Sequence, residues 1–245
     1  MSLPPVLFVH GMWADRAHWN RFRRCLESHG FPTHAVTLLA HEAPQDLGKL
    51  RAVGVMEYVA QVRNEVGKLS DAPFVVGHSM GALVAQKVAA EESVRGLVLL
   101  GPIAPGGISP ITPSVALCAG GSLLHALLER PFIIPKWNAR FGLMNTLTRR
   151  EQAVVYESFL YESGKALSQM LRGAIAVDAG AVTCPVLVAV GSKDRATPPS
   201  VARRIARKYG AEYREYPGEC HFLSLAREVM DDVADWLLAR VQESV

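Results

Sequence analysis

The chain has 245 residues, of which 49% are hydrophobic and 20% charged, and its formal net charge is +3. This length and composition fit one large α/β domain with a substantial core, with or without an inserted subdomain. The small net charge argues against a nucleic-acid partner.

The first residues and the apolar segments bear on where the protein is found. No apolar run approaches the roughly 18 residues that are needed to span a bilayer. Residues 1–5 have no basic segment of the kind that begins a signal peptide. We therefore expect a cytoplasmic protein without a membrane partner.

The cysteines show no C-x-x-C spacing, so we expect reduced, packed thiols. They are Cys25, Cys118, Cys184 and Cys220.

Strand-like apolar runs alternate with amphipathic helical patterns along the chain. In chain order, the predicted strands are residues 5–9, 31–38, 74–76, 95–100, 185–190 and 213–216. The predicted helices are residues 14–29, 56–69, 80 to about 91, 200–209 and 226–241. A βαβα series of this kind forms a parallel sheet with helices on both faces. We expect an α/β fold with a doubly wound, mostly parallel sheet of about six strands.

One long interruption separates the fourth predicted strand from the fifth. It begins with clustered prolines and glycines and continues with helical patterns, without a strong strand signal. These patterns are residues 122–128, 149–161 and 165–175. We predict that residues 105–181 form a helical cap insert over the strand ends. Residues 1–104 and 182–245 then form the core of the domain.

The pentapeptide Gly77-His78-Ser79-Met80-Gly81 lies between the third predicted strand and a helical pattern. A strand that meets a helix so abruptly forces a sharp turn at Ser79, where the two arms nearly touch. Small residues two positions before and after the serine permit this approach. Such a turn exposes the serine hydroxyl above the sheet. We therefore predict that Ser79 is a nucleophile.

A nucleophilic serine needs a base to take its proton and an acid to orient that base. Asp194 follows the fifth predicted strand and His221 follows the last one. Both therefore fall at the carboxyl edge of the sheet with Ser79, in the chain order expected around such a turn. We predict Asp194 as the acid and His221 as the base. Asp178 is the next candidate for the acid, but it lies in the predicted insert.

The negative oxygen that forms when serine attacks a carbonyl also needs hydrogen-bond donors. The backbone N–H of Met80, the residue after the nucleophile, is one expected donor. The loop after the first strand, His10-Gly11-Met12-Trp13, should supply the second. Because Gly11 lets this backbone approach closely, we predict that the second donor is the N–H of Met12.

Together these motifs resemble the α/β-hydrolase fold superfamily over essentially the whole chain. They are His10-Gly11, the pentapeptide around Ser79, Gly191-Ser192-Lys193-Asp194 with the prolines after it, and Gly218-Glu219-Cys220-His221. The resemblance implies the triad Ser79, Asp194 and His221, and a cap domain in the insert. Too few residues precede the first strand for the family's usual two antiparallel strands. A trimmed, six-stranded sheet is therefore implied, as in compact members such as hydroxynitrile lyases and plant methylesterases.

The predicted substrate pocket consists of large apolar residues from the insert and from the loop after the first strand. Its candidates are Trp13, Phe132, Trp137, Phe141, Met144 and Phe159. Those in the insert could equally form the core of the cap. His10 and His78 are expected to orient turns or to line the site, and His41 has no favoured role. The remaining histidines, His18, His29, His34 and His125, are expected at the surface or on helices.

The predicted function is that of a cofactor-independent serine hydrolase, which cleaves a carboxylic ester or a lactone through an acyl-enzyme on Ser79. No metal site is predicted, and the expected partner is a small-molecule substrate. The same triad supports carbon–carbon hydrolysis, cofactor-free peroxidation or cyanohydrin cleavage. A hydroxynitrile lyase should place a cap lysine beside the base, whereas Phe222 follows His221 here. A ligand receptor without catalysis and any oligomeric state also stay open.

Overall fold

A computed structural model describes residues 3–243 of the chain. The strands are β1 (Val6–Val9), β2 (Thr33–Val36), β3 (Phe74–His78), β4 (Gly96–Leu100), β5 (Val186–Gly191) and β6 (Glu212–Tyr216). They form one sheet in the order β2-β1-β3-β4-β5-β6, and every neighbouring pair is parallel. Each strand coincides with a predicted one. The expected α/β fold with a doubly wound, six-stranded sheet is confirmed.

Eleven α-helices lie within the described residues. They are α1 (Asn20–Ser28), α2 (Leu47–Ala52), α3 (Val55–Gly67), α4 (Met80–Ala89), α5 (Pro113–Ala119), α6 (Leu123–Leu127), α7 (Lys136–Gly142), α8 (Arg149–Glu157), α9 (Gly164–Leu171), α10 (Pro199–Tyr209) and α11 (Arg227–Gln242). Helices α1 and α11 cover one face of the sheet, and α3, α4 and α10 cover the other.

Side chains of the central strands alternate between these two faces. In β1, Val6 and Phe8 join the apolar cluster under α1 and α11, whereas Leu7 and Val9 join the cluster on the other side. Since helices cover both faces, every position of β1 is buried. This is why the strand reads as a continuous apolar run in the sequence.

The first predicted helix, residues 14–29, is shorter in the structure. A 3₁₀ turn spans Arg16–Trp19, and α1 begins only at Asn20. The Asp15 carboxylate accepts a hydrogen bond of 2.7 Å from the N–H of Ala17 and so caps the turn. Local side-chain bonds of this type compete with the regular helix, and here they delay its start.

The segment between β4 and β5 contains five helices, α5 to α9. Three of them, α6, α8 and α9, overlap the predicted helical patterns. Helices α5 and α7 were not predicted, and each has only seven residues. Each is about two turns long and starts at or beside a proline, Pro113 for α5 and Pro135 for α7, and a proline in the sequence indicates a break rather than a helix. We refer to residues 105–181 below as the cap segment.

A buried polar network joins the cap segment to the core. Glu162 is fully buried, and its backbone pairs with Phe132 in an isolated antiparallel bridge. Its carboxylate lies 2.8 Å from the Tyr58 hydroxyl of α3 and 3.1 Å from Nε2 of His41, in the loop after β2. Both carboxylate oxygens are therefore satisfied by groups of the core. Other hydrogen bonds, such as that from the Ser163 hydroxyl to Val53 O, also join the cap segment to the core.

The cysteines and the helix lengths complete the description. All four thiols are free; Cys118 and Cys220 are buried, and Cys25 and Cys184 are partly exposed. The two buried thiols are packed as expected. None of the helices in residues 3–243 is long and apolar enough to cross a bilayer.

Candidate active site

Ser79 occupies the sharp turn between β3 and α4. Its backbone angles, φ 55° and ψ −119°, lie in a region that residues other than glycine rarely adopt. Such strain persists only where the surrounding structure imposes it. The N–H of Ser79 donates to Leu100 O at 3.0 Å, and the N–H of Ile103 donates to Ser79 O at 3.3 Å. The end of β4 therefore holds the turn in place.

Two glycines leave room for this turn. A Cβ on Gly77 would lie 2.5 Å from the carbonyl oxygen of Gly81. A Cβ on Gly81 would collide with the carbonyl oxygens of Val9 and His10 at the end of β1. The close approach expected from the pentapeptide is present, because only hydrogen fits at both positions.

Asp194 and His221 form a buried pair at the same edge of the sheet. Nδ1 of His221 lies 2.7 Å from Oδ2 of Asp194. Since a carboxylate only accepts, Nδ1 carries the proton and Nε2 is free to take another. The backbone N–H groups of Ala196 and Thr197 donate to Oδ1 at 2.9 and 2.8 Å, and the Thr197 hydroxyl donates to Oδ2 at 2.8 Å. These bonds hold the carboxylate in one orientation.

The loop after β1 brings Met12 close to the serine. Nε2 of His10 accepts a hydrogen bond of 3.0 Å from the N–H of Leu38, and its Nδ1 donates to Gly11 O at 2.8 Å. Burial, together with His41, lowers the pKa of His10, so its ring is neutral as these bonds require. A Cβ on Gly11 would lie 2.9 Å from the Cβ of Ser79. Met12 follows and lines the cavities that contain Ser79.

Met80 is the first residue of α4. Its N–H therefore has no acceptor within the helix. The start of a helix also carries a partial positive charge, which favours a negative charge placed beside it. Both features suit the predicted role of this amide as a donor to an oxyanion formed on Ser79.

Two more histidines adjoin the acid–base pair. The His78 ring lies 4.7 Å from that of His221 and stacks on that of His18 at 5.0 Å. Nε2 of His78 donates to the carbonyl oxygen of His221 at 2.9 Å. Burial is the main cause that lowers the pKa of His78, and the nearby His221 lowers it further. The same two causes lower the pKa of His18 to about 4. Neither ring adds a positive charge that would oppose protonation of His221.

Ser79 lines two cavities. The larger, of about 320 Å³, also includes His221 and has a polar border with Asp15, Arg21 and Ser158. The smaller, of about 90 Å³, does not include His221. Its walls are mainly apolar and include Val115, Cys118, Ala119, Leu167, Met170 and Val201.

Two of the predicted pocket residues line these cavities. Trp13 lines both of them, and Phe159 lines the larger one. Their rings stack with centroids 6.0 Å apart. The loop after β1 and the end of α8 thus form one wall; the N–H of Leu160 joins them by donating to Trp13 O at 2.9 Å.

The four other predicted pocket residues line neither cavity. Phe132 and Met144 are buried in the apolar cluster that continues from one face of the sheet into the cap segment, and Phe132 packs edge-on against Trp13 at 5.6 Å. Trp137 and Phe141 stack on each other at 5.5 Å, one turn apart on α7, and Trp137 is largely exposed. They differ from the expectation because this pair packs on itself, with Arg195 over the Phe141 ring at 4.6 Å.

Two residues beside the acid–base pair were not predicted. Thr197 supports Asp194, and the signal for it is a hydroxyl residue three positions after the acid, just before a helix that begins at Pro199. His18 lines the larger cavity, although it was expected at the surface or on a helix. His18 lies in a 3₁₀ turn, which has three residues per turn rather than 3.6. An α-helical pattern therefore predicts the wrong direction for its side chain.

Two acid–histidine pairs are buried in the interior. Asp194 binds His221, and Glu162 binds His41. Within residues 3–243, no group of three or more His, Cys, Asp or Glu side chains could hold a metal ion. The described residues thus bring together a serine, a histidine and a carboxylate rather than a metal-binding cluster.

Solved structures of low sequence identity share this fold. A monoacylglycerol lipase from Paleococcus ferrophilus has a TM-score of 0.72 at 20% identity, with 98% of this chain and 97% of that chain covered. A structure from a study of carboxylesterases of Nitrososphaera gargenis has 0.77 at 16% identity, with 98% and 92% covered. Tomato methylketone synthase I has 0.74 at 15% identity, with 99% of each chain covered. At these identities the likeness shows the fold alone.

The comparison by sequence is more specific. A search of curated proteins finds no match. The description "Alpha/beta hydrolase family" belongs to a family model that matches residues 6–236. This range includes all six strands together with Ser79, Asp194 and His221. The chain therefore belongs to the alpha/beta hydrolase family.

Proposed function

We propose that the protein is a serine hydrolase that cleaves a carboxylic ester or a lactone through an acyl-enzyme on Ser79. One observation carries the proposal. A strained serine lines the same cavity as His221, whose other ring nitrogen bonds the buried carboxylate of Asp194. Serine acyl transfer needs a nucleophile, a base and an orienting acid in this relation.

In the first half of the proposed reaction, Ser79 Oγ attacks the carbonyl carbon and Nε2 of His221 takes the serine proton. Asp194 stays ionised, holds the ring through Nδ1 and stabilises its positive charge. The N–H groups of Met12 and Met80 bind the oxyanion; each such donor contributes about 3 kcal/mol to the lowering of a barrier of this kind. His221 then protonates the leaving oxygen, and the alcohol departs.

In the second half, water attacks the acyl group on Ser79. His221 takes a proton from this water and then returns it to the serine oxygen, so that the carboxylic acid is released. The neutral state of His18 and His78 supports both halves, since a cation beside His221 would lower its basicity.

The two cavities suggest where the halves of an ester bind. His221 must reach the leaving oxygen to protonate it, so the alcohol belongs in the larger cavity that His221 lines. The acyl group then enters the smaller, apolar cavity. Each CH₂ buried there contributes about 0.8 kcal/mol until the space is filled. We therefore expect a preference for short apolar acyl groups and tolerance of polar alcohols.

The names of similar structures support an ester substrate. One is a monoacylglycerol lipase, and another comes from a study of carboxylesterases. Tomato methylketone synthase I has the same fold, but its name is not that of an esterase or a lipase. Because the fold alone does not choose the reaction, the proposal depends on Ser79 and on the cavities around it.

Replacement of Ser79 by alanine tests the proposal. For p-nitrophenyl esters of increasing acyl length, we expect the wild type to act best on short acyl groups. Ser79→Ala should lose at least about 10³-fold in kcat/KM, because the oxyanion donors alone form no acyl-enzyme. A fluorophosphonate should label the wild type at Ser79, as seen by mass spectrometry of the peptide, and should not label the variant.

Ser28→Ala is a matched control, since Ser28 is an exposed serine at the end of α1. It should keep the wild-type rate and labelling. Ester turnover at the wild-type rate in Ser79→Ala would refute the acyl-enzyme. A wild type that is neither labelled nor active, yet binds an ester tightly, would point instead to a ligand receptor.

A further inference from the structure

The outer side of the cap segment exposes many apolar side chains. Twelve large hydrophobic side chains are strongly exposed within residues 3–243, and seven of them lie between residues 111 and 137. Six of these seven define what we call the apolar face: Ile111, Leu117, Leu123, Leu124, Leu127 and Leu128. Single exposed leucines are common, but a concentrated patch marks an interaction surface.

Helix α6 carries most of the apolar face. Leu123 and Leu127 are four residues apart, as are Leu124 and Leu128, so the two pairs lie side by side on the helix. The exposure of these leucines reaches 77% at Leu127. Burying four such side chains would stabilise a complex by several kcal/mol.

Helix α5 links the apolar face to the interior. Val115 and Cys118 point inward and line the smaller cavity beside Ser79, whereas Leu117 points outward. The apolar face is thus the outer surface of the layer whose inner surface forms that cavity.

The apolar face is uncharged, and its border is cationic. Residues 101–128 contain no Asp, Glu, Lys or Arg, and residues 129–150 contain five cations and one acid, Glu129. Arg130 follows α6, and Lys136 lies on α7, which packs against α5. Neither forms an ion pair within residues 3–243. The exposed ring of Trp137 lies beside Lys136 in the sequence.

We propose that the apolar face docks the cap segment onto an anionic lipid surface. Leucine side chains enter the boundary of the acyl chains, while Arg130 and Lys136 contact the negative head groups. A tryptophan at the border, such as Trp137, suits the same boundary. This contact places the cap segment, and the cavity beneath it, at the lipid surface.

The charge on the border favours lipid over a second copy of the chain. A two-fold contact between copies would place the cationic border of one against that of the other. Glu129 is the one acid in residues 101–150 that could offset this repulsion. An anionic surface complements every cation of the border instead.

This proposal replaces the expectation that the protein has no membrane partner. That expectation depended on the lack of an apolar run long enough to span a bilayer, and docking on the surface needs none. The proposal does not depend on ester cleavage, because vesicle binding is measured without a substrate.

Sedimentation with lipid vesicles tests the proposal. We expect the wild type to bind phosphatidylcholine vesicles that contain phosphatidylglycerol and to bind less as salt is added. The double variant Leu124→Asp/Leu127→Asp should lose at least about tenfold in binding, since it places charges in the acyl boundary. Lys136→Glu should weaken binding about fivefold or more and reduce the dependence on salt.

Leu47→Asp is the matched control, since Leu47 on α2 is an exposed leucine outside the cap segment. It should bind vesicles as the wild type does, and circular dichroism should show that all variants are folded. A wild type that stays in solution with anionic vesicles overturns the proposal. So does a dimer, seen by light scattering, that Leu124→Asp/Leu127→Asp dissociates without any vesicle binding; the apolar face would then belong to a second copy.

Discussion

At the scale of single residues, the Thr197 hydroxyl stands between the proposed acid and base. It donates to Oδ2 of Asp194 at 2.8 Å and lies 3.3 Å from Nδ1 of His221. Oδ2 of Asp194 also accepts the hydrogen bond from Nδ1 of His221. Thr197 therefore acts on the reaction through Asp194, as a positioning residue, although its side chain also reaches the wall of the smaller cavity.

Thr197→Val removes the hydroxyl with little change in volume. A hydrogen bond to a charged group contributes about 1.5–3 kcal/mol, so we expect kcat to fall about tenfold or more with little change in KM. Steady-state kinetics on a short p-nitrophenyl ester measures both values. Thr197→Ser keeps the hydroxyl and should restore kcat. A rise in KM at constant kcat would instead assign Thr197 to substrate contact in the smaller cavity.

At the scale of elements, a buried pair between Glu162 and His41 joins the cap segment to the core. Glu162 bonds His41 and Tyr58 of the core, and the backbone N–H of Ser163 also donates to it at 2.6 Å. Burial lowers the pKa of His41, but the charge and the hydrogen bond of Glu162 outweigh burial and leave this pKa raised. The stabilisation by this pair is therefore full below about pH 6.5, where unfolded histidine titrates, and is lost as pH rises through the raised pKa.

Glu162→Gln should destabilise the protein by about 3 kcal/mol below pH 6.5, because it leaves a buried histidine without its counter-charge. The deficit should shrink at alkaline pH, where His41 is neutral in the wild type as well. Urea unfolding at several pH values measures it. Glu157→Gln, an exposed acid on α8, should change stability by no more than about 0.5 kcal/mol. A deficit that stays constant with pH would contradict the protonation of His41 in the folded protein.

At the scale of the whole molecule, three buried histidines make stability sensitive to acid. Burial is the main cause that lowers the pKa of His10, His18 and His78; His41 adds to it at His10, and His221 adds to it at the other two. Histidines of an unfolded chain titrate near pH 6.5, so below that pH the unfolded state binds more protons. The free energy of unfolding therefore decreases as the pH is lowered, by about 1.4 kcal/mol per pH unit for each proton that only the unfolded state binds.

For all three histidines we expect a loss of about 4 kcal/mol per pH unit between pH 6 and pH 5. Urea unfolding at closely spaced pH values measures this slope. His18→Asn removes one of the three groups and should reduce the slope by about a third. His29→Asn, at an exposed position after α1, should leave it unchanged. An unchanged slope in His18→Asn would mean that His18 takes up its proton in the folded state too.

The sequence by itself determined the sheet and the positions of the proposed triad. Each buried strand is a local apolar run, and Ser79 lies in a local strand–turn–helix pattern, so a few neighbouring residues suffice to recognise them. Asp194 and His221 were predicted because the carboxyl ends of parallel strands share one edge of the sheet. The structure brings these two side chains to 2.7 Å, a distance that strand order alone does not provide.

Only the tertiary structure decided the surroundings of Ser79. The short helices of the cap segment take their direction from long-range contacts such as that between Glu162 and His41, which are 121 residues apart. For this reason Trp13 and Phe159 line a cavity, whereas Trp137 and Phe141, equally apolar in sequence, do not line it and stack on each other. A periodic pattern shows that a side chain is apolar but not which neighbour it meets, because packing between distant segments sets that choice.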